Sequence, residues 1–225
     1  MRTVTYGAAC SLDGFIAAAD GGLDWLHFSS DVQDVMAKYW STVDTVLMGR
    51  KTWDTSLVMS GGGKPSEPGI EQAGGGDACG AAPQSNERST TVVNEGQACA
   101  GGDTTGEPGM PTDVQTYVFS RTLKQIGKPG VQLVSSDAGE FVRELKRKPG
   151  RDICVMGGGD FARSLLEAGV VDEVGLNVHP ILLGSGIPLF LDAGRQIQLS
   201  LTESRTISGG CVLSTYRVVP RPGTT

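Results

Sequence analysis

The chain has 225 residues, of which 39% are hydrophobic and 20% charged, and its formal net charge is -6. This composition is typical of a globular protein, and the length suits one generous domain. The negative charge argues against a general nucleic-acid or anionic-membrane surface. Because the sequence has no apolar run long enough to cross a bilayer and no signal-peptide pattern, it predicts a cytoplasmic protein.

The five cysteines are odd in number and include no Cys-x-x-Cys pair. Their spacing supports neither a zinc site nor a disulfide framework, so we predict no metal site and reduced thiols. We expect Cys10, Cys154 and Cys211 to pack as small hydrophobic side chains.

The amino-terminal part predicts strands that alternate with a helix. Residues 3–9 are typical of a buried strand, and a turn at 11–17 leads into a short second strand. Residues 30–40 predict a helix that begins at a serine cap. Its apolar face contains Val32, Val35, Met36 and Tyr39. Residues 44–48 are apolar and rich in β-branched residues, as in a buried parallel strand.

Residues 60–111 interrupt this pattern with 13 Gly and 5 Pro. Such a segment buries too little apolar surface to offset the entropy of ordering it. It is also too long for an ordinary connection. We therefore predict a flexible Gly/Pro-rich insertion, with a functional lid as the alternative.

Regular structure resumes after the insertion. Strands are predicted at 115–120, 131–135, 152–156 and 171–179. Asp137 and Glu140 form a capping box for one helix, and residues 160–168 predict another. Residues 196–207 and 211–219 predict a terminal hairpin. The pattern predicts a single α/β domain over 1–225. We expect a three-layer sandwich with a mixed, mostly parallel central sheet, closed by a C-terminal antiparallel hairpin.

Three segments that follow predicted strands have the chemistry of anion sites. Gly157-Gly158-Gly159 precedes a helix, where backbone amides and the helix dipole favour a phosphate. Gly49, Arg50 and Thr52 follow the strand at 44–48 and supply a guanidinium and a hydroxyl. Ser120-Arg121-Thr122 repeats this chemistry at a third strand end. The alternative for each segment is a turn without a ligand, and the Gly-x-Gly-x-x-Gly fingerprint of dinucleotide-binding domains is absent.

Five segments together resemble the dihydrofolate-reductase superfamily. The closer likeness is to its bacterial branch, similar to the C-terminal reductase domain of the riboflavin-biosynthesis deaminase-reductase. The segments are SLDGFIA at 11–17, VLMGRKTW at 46–53, VFSRTL at 118–123, ICVMGGGDFARSLL at 153–166 and DEVGLNVHPILLGSGIPLF at 172–190. The His-x-Glu and Pro-Cys-x-x-Cys signature of the zinc deaminase half does not occur in the sequence.

The resemblance implies NADPH as cofactor. It implies that the pyrophosphate contacts Gly157, Gly158, Gly159, Asp160 and Phe161. It assigns phosphates to Arg50 and Thr52, with Arg50 a candidate for the ribose 2′-phosphate. By the same resemblance, Ser120 and Arg121 flank the adenosine. Ala9 and Ile16 present backbone groups to the nicotinamide carboxamide.

For the substrate, the resemblance implies a flat nitrogen heterocycle held by a carboxylate at the start of the first long helix. Asp31 lies one turn from Val35 and is the candidate substrate-binding and catalytic residue. The alternative is that Asp31 only complements the helix dipole. Trp25 either lines the same pocket or packs in the core. For His27 and His179 we favour structural roles.

These features predict an NADPH-dependent reductase that transfers hydride to a small nitrogen heterocycle. The candidates are a dihydrofolate-type substrate and a ribosylaminopyrimidine, as in the 5-amino-6-(5-phosphoribosylamino)uracil reductase of riboflavin biosynthesis. The alternative is a protein that binds NADPH without turnover, as a sensor or relic. A homodimer is expected from the family likeness. The expected partner is a small-molecule substrate, with no nucleic acid and no membrane.

Overall fold

The computed structural model describes residues 1–27, 29–59, 113–191 and 196–220. The predicted insertion at 60–111 lies outside these residues. The strands are β1 (Val4–Ser11), β2 (Phe15–Ala17), β3 (Val43–Gly49), β4 (Gln115–Phe119), β5 (Val131–Val134), β6 (Asp152–Met156), β7 (Glu173–His179), β8 (Ile187–Pro188), β9 (Leu199–Thr206) and β10 (Val212–Val218). The helices are α1 (Ser30–Thr42), α2 (Arg50–Met59), α3 (Ala138–Arg147) and α4 (Gly159–Glu167).

Eight strands form the central sheet in the order β5-β4-β3-β6-β1-β7-β10-β9. The first six are mutually parallel, whereas β10 runs antiparallel to both β7 and β9. The remaining strands, β2 and β8, pair antiparallel in a small second sheet. This architecture confirms the predicted α/β fold with a mixed, mostly parallel sheet and a C-terminal antiparallel hairpin.

The sheet separates two apolar cores because side chains of a strand alternate between its faces. In β3, Leu47 belongs to the core under α3 and α4, whereas Val46 and Met48 belong to the core that contains Trp40 of α1 and Trp53 of α2. The two cores account for the predicted three layers. Among the described residues, no helix has the length and apolar character that a membrane span requires.

Most predicted elements are present with shifted ends. Helix α1 continues to Thr42, and its most buried side chain, Trp40, lies outside the predicted apolar face. Strand β7 begins at Glu173, two residues later than predicted. Strand β8 was not predicted, because two residues that include a proline give no periodic signal. Cys10, Cys154 and Cys211 are buried, reduced thiols, as expected.

Candidate active site

The three predicted anion-binding segments meet at one edge of the sheet. They follow β4, β3 and β6, which are neighbours and parallel. Because parallel strands share a carboxyl edge, the segment after each strand lies beside the next. The segment 49–53 is central, with the glycine turn on one side and Ser120-Arg121-Thr122 on the other.

The glycine turn contacts the start of α2 directly. The backbone amide of Gly158 donates a hydrogen bond to Thr52 Oγ1 at 3.1 Å. A Cβ built on Gly157 would lie 2.3 Å from that same oxygen, and Gly157 has a φ of 126°. Gly157 is therefore required by the turn itself. A Cβ on Gly49 would lie 3.1 Å from Phe161 Cβ, so the two segments are in contact a second time.

The other two glycines of the turn differ in their surroundings. A Cβ on Gly159 would meet the carbonyl oxygen of Leu189 at 3.1 Å, so this glycine allows close packing against that strand end. Gly158 has an ordinary φ of -64°, and a Cβ there would meet no described atom within 4 Å. Neither backbone conformation nor packing requires glycine at position 158. The space beside it is available to a ligand.

Arg50 connects α2 with the segment after β4. Its guanidinium donates to Thr122 Oγ1 at 2.7 Å and pairs with Asp54 Oδ2 at 3.3 Å. The predicted phosphate ligands Arg50 and Thr122 thus form one hydrogen-bonded unit. The Asp54 carboxylate neutralises part of the charge that a ligand phosphate would otherwise meet.

Ser120 holds the turn after β4, and its neighbour Arg121 is exposed. The Ser120 hydroxyl accepts hydrogen bonds from the amides of Thr122 at 3.2 Å and Leu123 at 3.0 Å. No ion pair of Arg121 occurs within the described part of the chain. Ser120 and Arg121 border a groove that also reaches α4. The groove is lined by Phe119, Ser120, Arg121, Val134, Ser135, Ser136, Ala138, Phe161 and Ser164.

Sequence reasoning missed Ser135 and Ser136, which lie in this groove at the end of β5. The signal was present, because two hydroxyl side chains directly follow a predicted strand, as Ser120 follows β4. They were not singled out because no cation accompanies them in the sequence.

Asp31 lies at the first turn of α1, away from the three anion segments. Its carboxylate accepts hydrogen bonds from the Ser208 hydroxyl and from the Ser208 amide, the latter at 3.1 Å. Ser208 lies in the turn between β9 and β10. The hydrogen bonds from Ser208, first from its hydroxyl and then from its amide, lower the pKa of Asp31. Asp31 is therefore ionised at neutral pH, which suits accepting hydrogen bonds from ring N–H groups better than donating a proton. Its catalytic and substrate-binding roles stay predictions.

His179 links the segments around Asp31. Its Nδ1 accepts a hydrogen bond from the His27 amide at 3.4 Å and lies 3.4 Å from Cys211 Sγ. Its Nε2 is 3.2 Å from the side-chain nitrogen Nδ2 of Asn177. The Trp25 ring packs edge-on against the imidazole, with 5.4 Å between centroids. These contacts support a structural role for His179. Burial, and then the proximity of His27, lowers the pKa of His179.

One face of the sheet at β1 and β7 has few large side chains. Gly7 and Ala9 of β1 pair with Gly175 and Asn177 of β7, so the four residues share one face of the sheet. A Cβ on Gly7 would meet no described atom within 4 Å. A planar ring therefore has room against this face. Ala9 is the predicted nicotinamide contact in β1, and the second predicted contact, Ile16, lies in β2.

The family model of the RibD C-terminal domain matches residues 91–213 of the chain. Among curated proteins, the chain is similar to the uncharacterized protein YyaP of Bacillus subtilis. The two are 29% identical over 215 residues, which cover 96% of the chain and 94% of YyaP.

Solved structures share the fold. One is a putative riboflavin biosynthesis protein from Shewanella sp. PV-4, with a TM-score of 0.69, 22% identity, and coverage of 97% of this chain and 100% of that one. Another is dihydrofolate reductase from Enterococcus faecalis complexed with NADP(H) and RAB-propyl, with a TM-score of 0.55, 14% identity, and coverage of 96% of each chain. The resemblance stated from the motifs is thereby confirmed. Because the family model spans more than half of its length, the chain belongs to the RibD C-terminal domain family, on a fold that dihydrofolate reductase shares.

Proposed function

We propose that this protein is an NADPH-dependent reductase that transfers hydride to a small nitrogen heterocycle. The observation that carries the proposal is the meeting of three anion-binding segments, after β4, β3 and β6, at one sheet edge. A dinucleotide has phosphates at separate positions along its length, and separate anion sites on neighbouring strand ends suit such a ligand. Membership of the RibD C-terminal domain family agrees with this function.

The residues present fit NADPH. Gly158 leaves open space at the start of α4, where the helix dipole and the amides of the first turn favour a pyrophosphate. Exposed Arg121, in the groove with Ser135 and Ser136, suits the 2′-phosphate that distinguishes NADPH from NADH. The family resemblance makes Arg50 another candidate for that phosphate. Its pairing with Asp54 makes Arg121 the better one.

The chemistry supplied by the cofactor is hydride transfer from the nicotinamide ring. The chain's own residues bind and orient the reactants. Gly7, Ala9 and Gly175 leave a flat face for stacked rings, and the ionised Asp31 accepts hydrogen bonds from N–H groups of the substrate. Half-buried Trp25 packs edge-on against buried His179.

The experiment measures nucleotide binding and turnover separately. NADPH and NADH are titrated against wild type and Arg121→Ala, with tryptophan fluorescence as the readout. Losing a charge-assisted phosphate contact costs about 1.5–3 kcal/mol, so NADPH affinity should fall roughly tenfold to a hundredfold while NADH affinity changes little. Equal losses for both nucleotides would contradict the assigned role of Arg121.

Turnover is followed as loss of NADPH absorbance with dihydropteridines and aminopyrimidine ribosides as substrates. Oxidation of NADPH with at least one of them is the expected result. Tight NADPH binding without any oxidation would instead favour a binding protein without turnover. The hydrogen bonds that already occupy the Asp31 carboxylate would explain that outcome.

A further inference from the structure

Four segments converge at the carboxyl ends of β1 and β7. They are the connection 12–29, the first half of α1, the connection 180–191 and the turn 207–211. The Leu12 amide donates to the Ile181 carbonyl at 2.9 Å, the His27 amide donates to His179, and Ser208 donates to Asp31. We call this connected region the substrate end. It contains the residues predicted to hold the substrate.

The substrate end has no lysine or arginine. Neither lysine nor arginine occurs in residues 3–37, 164–191 or 206–216. Residues 3–37 contain five aspartates, which are Asp13, Asp20, Asp24, Asp31 and Asp34. The nearest arginine in sequence to the turn 207–211 is Arg205, and it pairs with Glu203 at 3.5 Å.

The cofactor edge has the opposite charge balance. Its residues 50–54, 120–128 and 157–161 contain two carboxylates, Asp54 and Asp160. They contain five cations, which are Arg50, Lys51, Arg121, Lys124 and Lys128. Phosphate recognition in this molecule is therefore concentrated at the cofactor edge. Because of this asymmetry, carboxylates at the substrate end would repel a phosphate group bound there.

The start of α1 is the remaining feature of the substrate end that attracts anions. Side chains of the protein already interact with its amides and its dipole. The Val32 amide donates to Ser29 Oγ at 3.4 Å, and the Asp31 carboxylate supplies negative charge in the first turn. His179 is buried against Trp25, Cys211 and Asn177, and this burial lowers its pKa, which disfavours the imidazolium cation.

The polar groups of the substrate end are suited to an uncharged or cationic ring. Asp31 supplies an acceptor for N–H groups. Trp25 Nε1, a donor, and Asn177 Oδ1, an acceptor, are buried and have no hydrogen-bond partner among the described residues. Buried polar atoms without partners are rare, and a bound ligand is one way to satisfy them.

We infer that the substrate is a flat nitrogen heterocycle without a phosphate group, neutral or cationic, and that a phosphoribosyl pyrimidine is not its substrate. This inference rests on the proposed reductase function and names its substrate class. Among the predicted substrates, it excludes the phosphoribosyl form.

The test compares ligands that differ in one phosphate. An aminopyrimidine riboside, its 5′-phosphate and a dihydropteridine are titrated calorimetrically into the protein saturated with NADP⁺, and again without nucleotide. At 50 mM salt we expect a phosphate-free ligand to bind at least tenfold more tightly than the 5′-phosphate. The difference should shrink at 500 mM salt, because salt screens the repulsion. Tighter binding of the 5′-phosphate, or binding of none of the three, would overturn the inference.

Binding and turnover fail independently in this design. A preference for phosphate-free ligands without NADPH oxidation would leave the ligand class standing and remove the reductase function. Oxidation of NADPH only with the 5′-phosphate would retain the reductase function and remove the inferred ligand class.

A charge reversal tests whether the preference for phosphate-free ligands arises at the substrate end. Asp24→Lys introduces a cation next to Trp25 in the sequence. It should reduce the ratio of affinities between the phosphate-free ligand and the 5′-phosphate at least threefold. Glu144→Lys changes the net charge equally, but Glu144 is exposed on α3, which packs on the opposite face of the sheet. We expect Glu144→Lys to leave the preference unchanged. Equal shifts in both variants would show a general charge effect and overturn the role of the substrate end.

Discussion

Gly157 and Gly158 are neighbours, but the absence of a side chain has a different consequence at each. Gly157 has a positive φ and faces Thr52 Oγ1, so Gly157→Ala should destabilise the protein by about 2–4 kcal/mol through strain and steric overlap. Gly158 has an ordinary φ and open space, so Gly158→Ala should change stability by less than about 1 kcal/mol. Urea unfolding of both variants measures the difference.

The same pair tests the phosphate site. Gly158→Ala should weaken NADPH about tenfold, because the added methyl group occupies the space beside the helix amides. Unchanged NADPH affinity in the folded Gly158→Ala variant would mean that the pyrophosphate does not approach at this position.

His179 predicts an acid-sensitive contribution to stability. Burial lowers its pKa in the folded state, so below about pH 6.5 the unfolded chain binds a proton that the folded chain resists. Stability should therefore fall as the pH drops through 6.5 and toward the lowered folded-state pKa, and the contribution should be constant above pH 7.5. Thermal melts between pH 8 and 5 should show a shallower decline for His179→Gln. Parallel curves for both proteins would contradict this assignment.

At the scale of elements, Arg2 joins three strands at the amino edge of the sheet. It precedes β1, pairs with Asp44 of β3, and donates to the Arg151 carbonyl before β6 at 2.5 Å and to Thr45 Oγ1 at 2.6 Å. Burial opposes ionisation of Asp44, but hydrogen bonds from the Arg151 amide and Thr45 and the Arg2 charge lower its pKa overall.

Removing this cation should be costly because it leaves a partly buried carboxylate without its ion-pair partner. Arg2→Met should destabilise the protein by about 2–4 kcal/mol in urea unfolding. Arg205→Met is the matched control, since Arg205 forms an exposed pair with Glu203 and should contribute less than about 1 kcal/mol. Similar losses in both variants would show that the burial of Arg2 is not what matters.

The elements themselves were largely predictable. Strands β3 and β6 are short apolar runs. The Asp137 carboxylate caps α3 by accepting a hydrogen bond from the Glu140 amide at 2.8 Å, which is one of the two hydrogen bonds of the predicted capping box. The local signals failed at Trp40 and at β8. Burial of Trp40 depends on the sheet it faces, and β8 exists only by pairing with β2.

At the scale of the whole molecule, the homodimer stays a prediction. All eight residues of β9 are exposed, and β9 forms one edge of the central sheet. An exposed strand edge with Leu201 at 56% exposure is suited to pairing with a second copy. Leu201→Lys should convert a dimer to a monomer in analytical ultracentrifugation. Leu182→Lys, at 69% exposure outside β9, should not. A wild-type protein that sediments as a monomer would refute the prediction.

The sequence by itself determined the order of strands and helices, the fold class and the three strand-end segments with anion chemistry. These features depend on local signals: β-branched runs, helix caps and glycine turns act within a few residues. The tertiary structure alone decided which groups meet across the chain. Asp31 is bound by Ser208, 177 positions away, and Arg50 is bound by Thr122, 72 positions away. Such contacts depend on how packed elements place distant side chains, and no local pattern in the sequence carries that information.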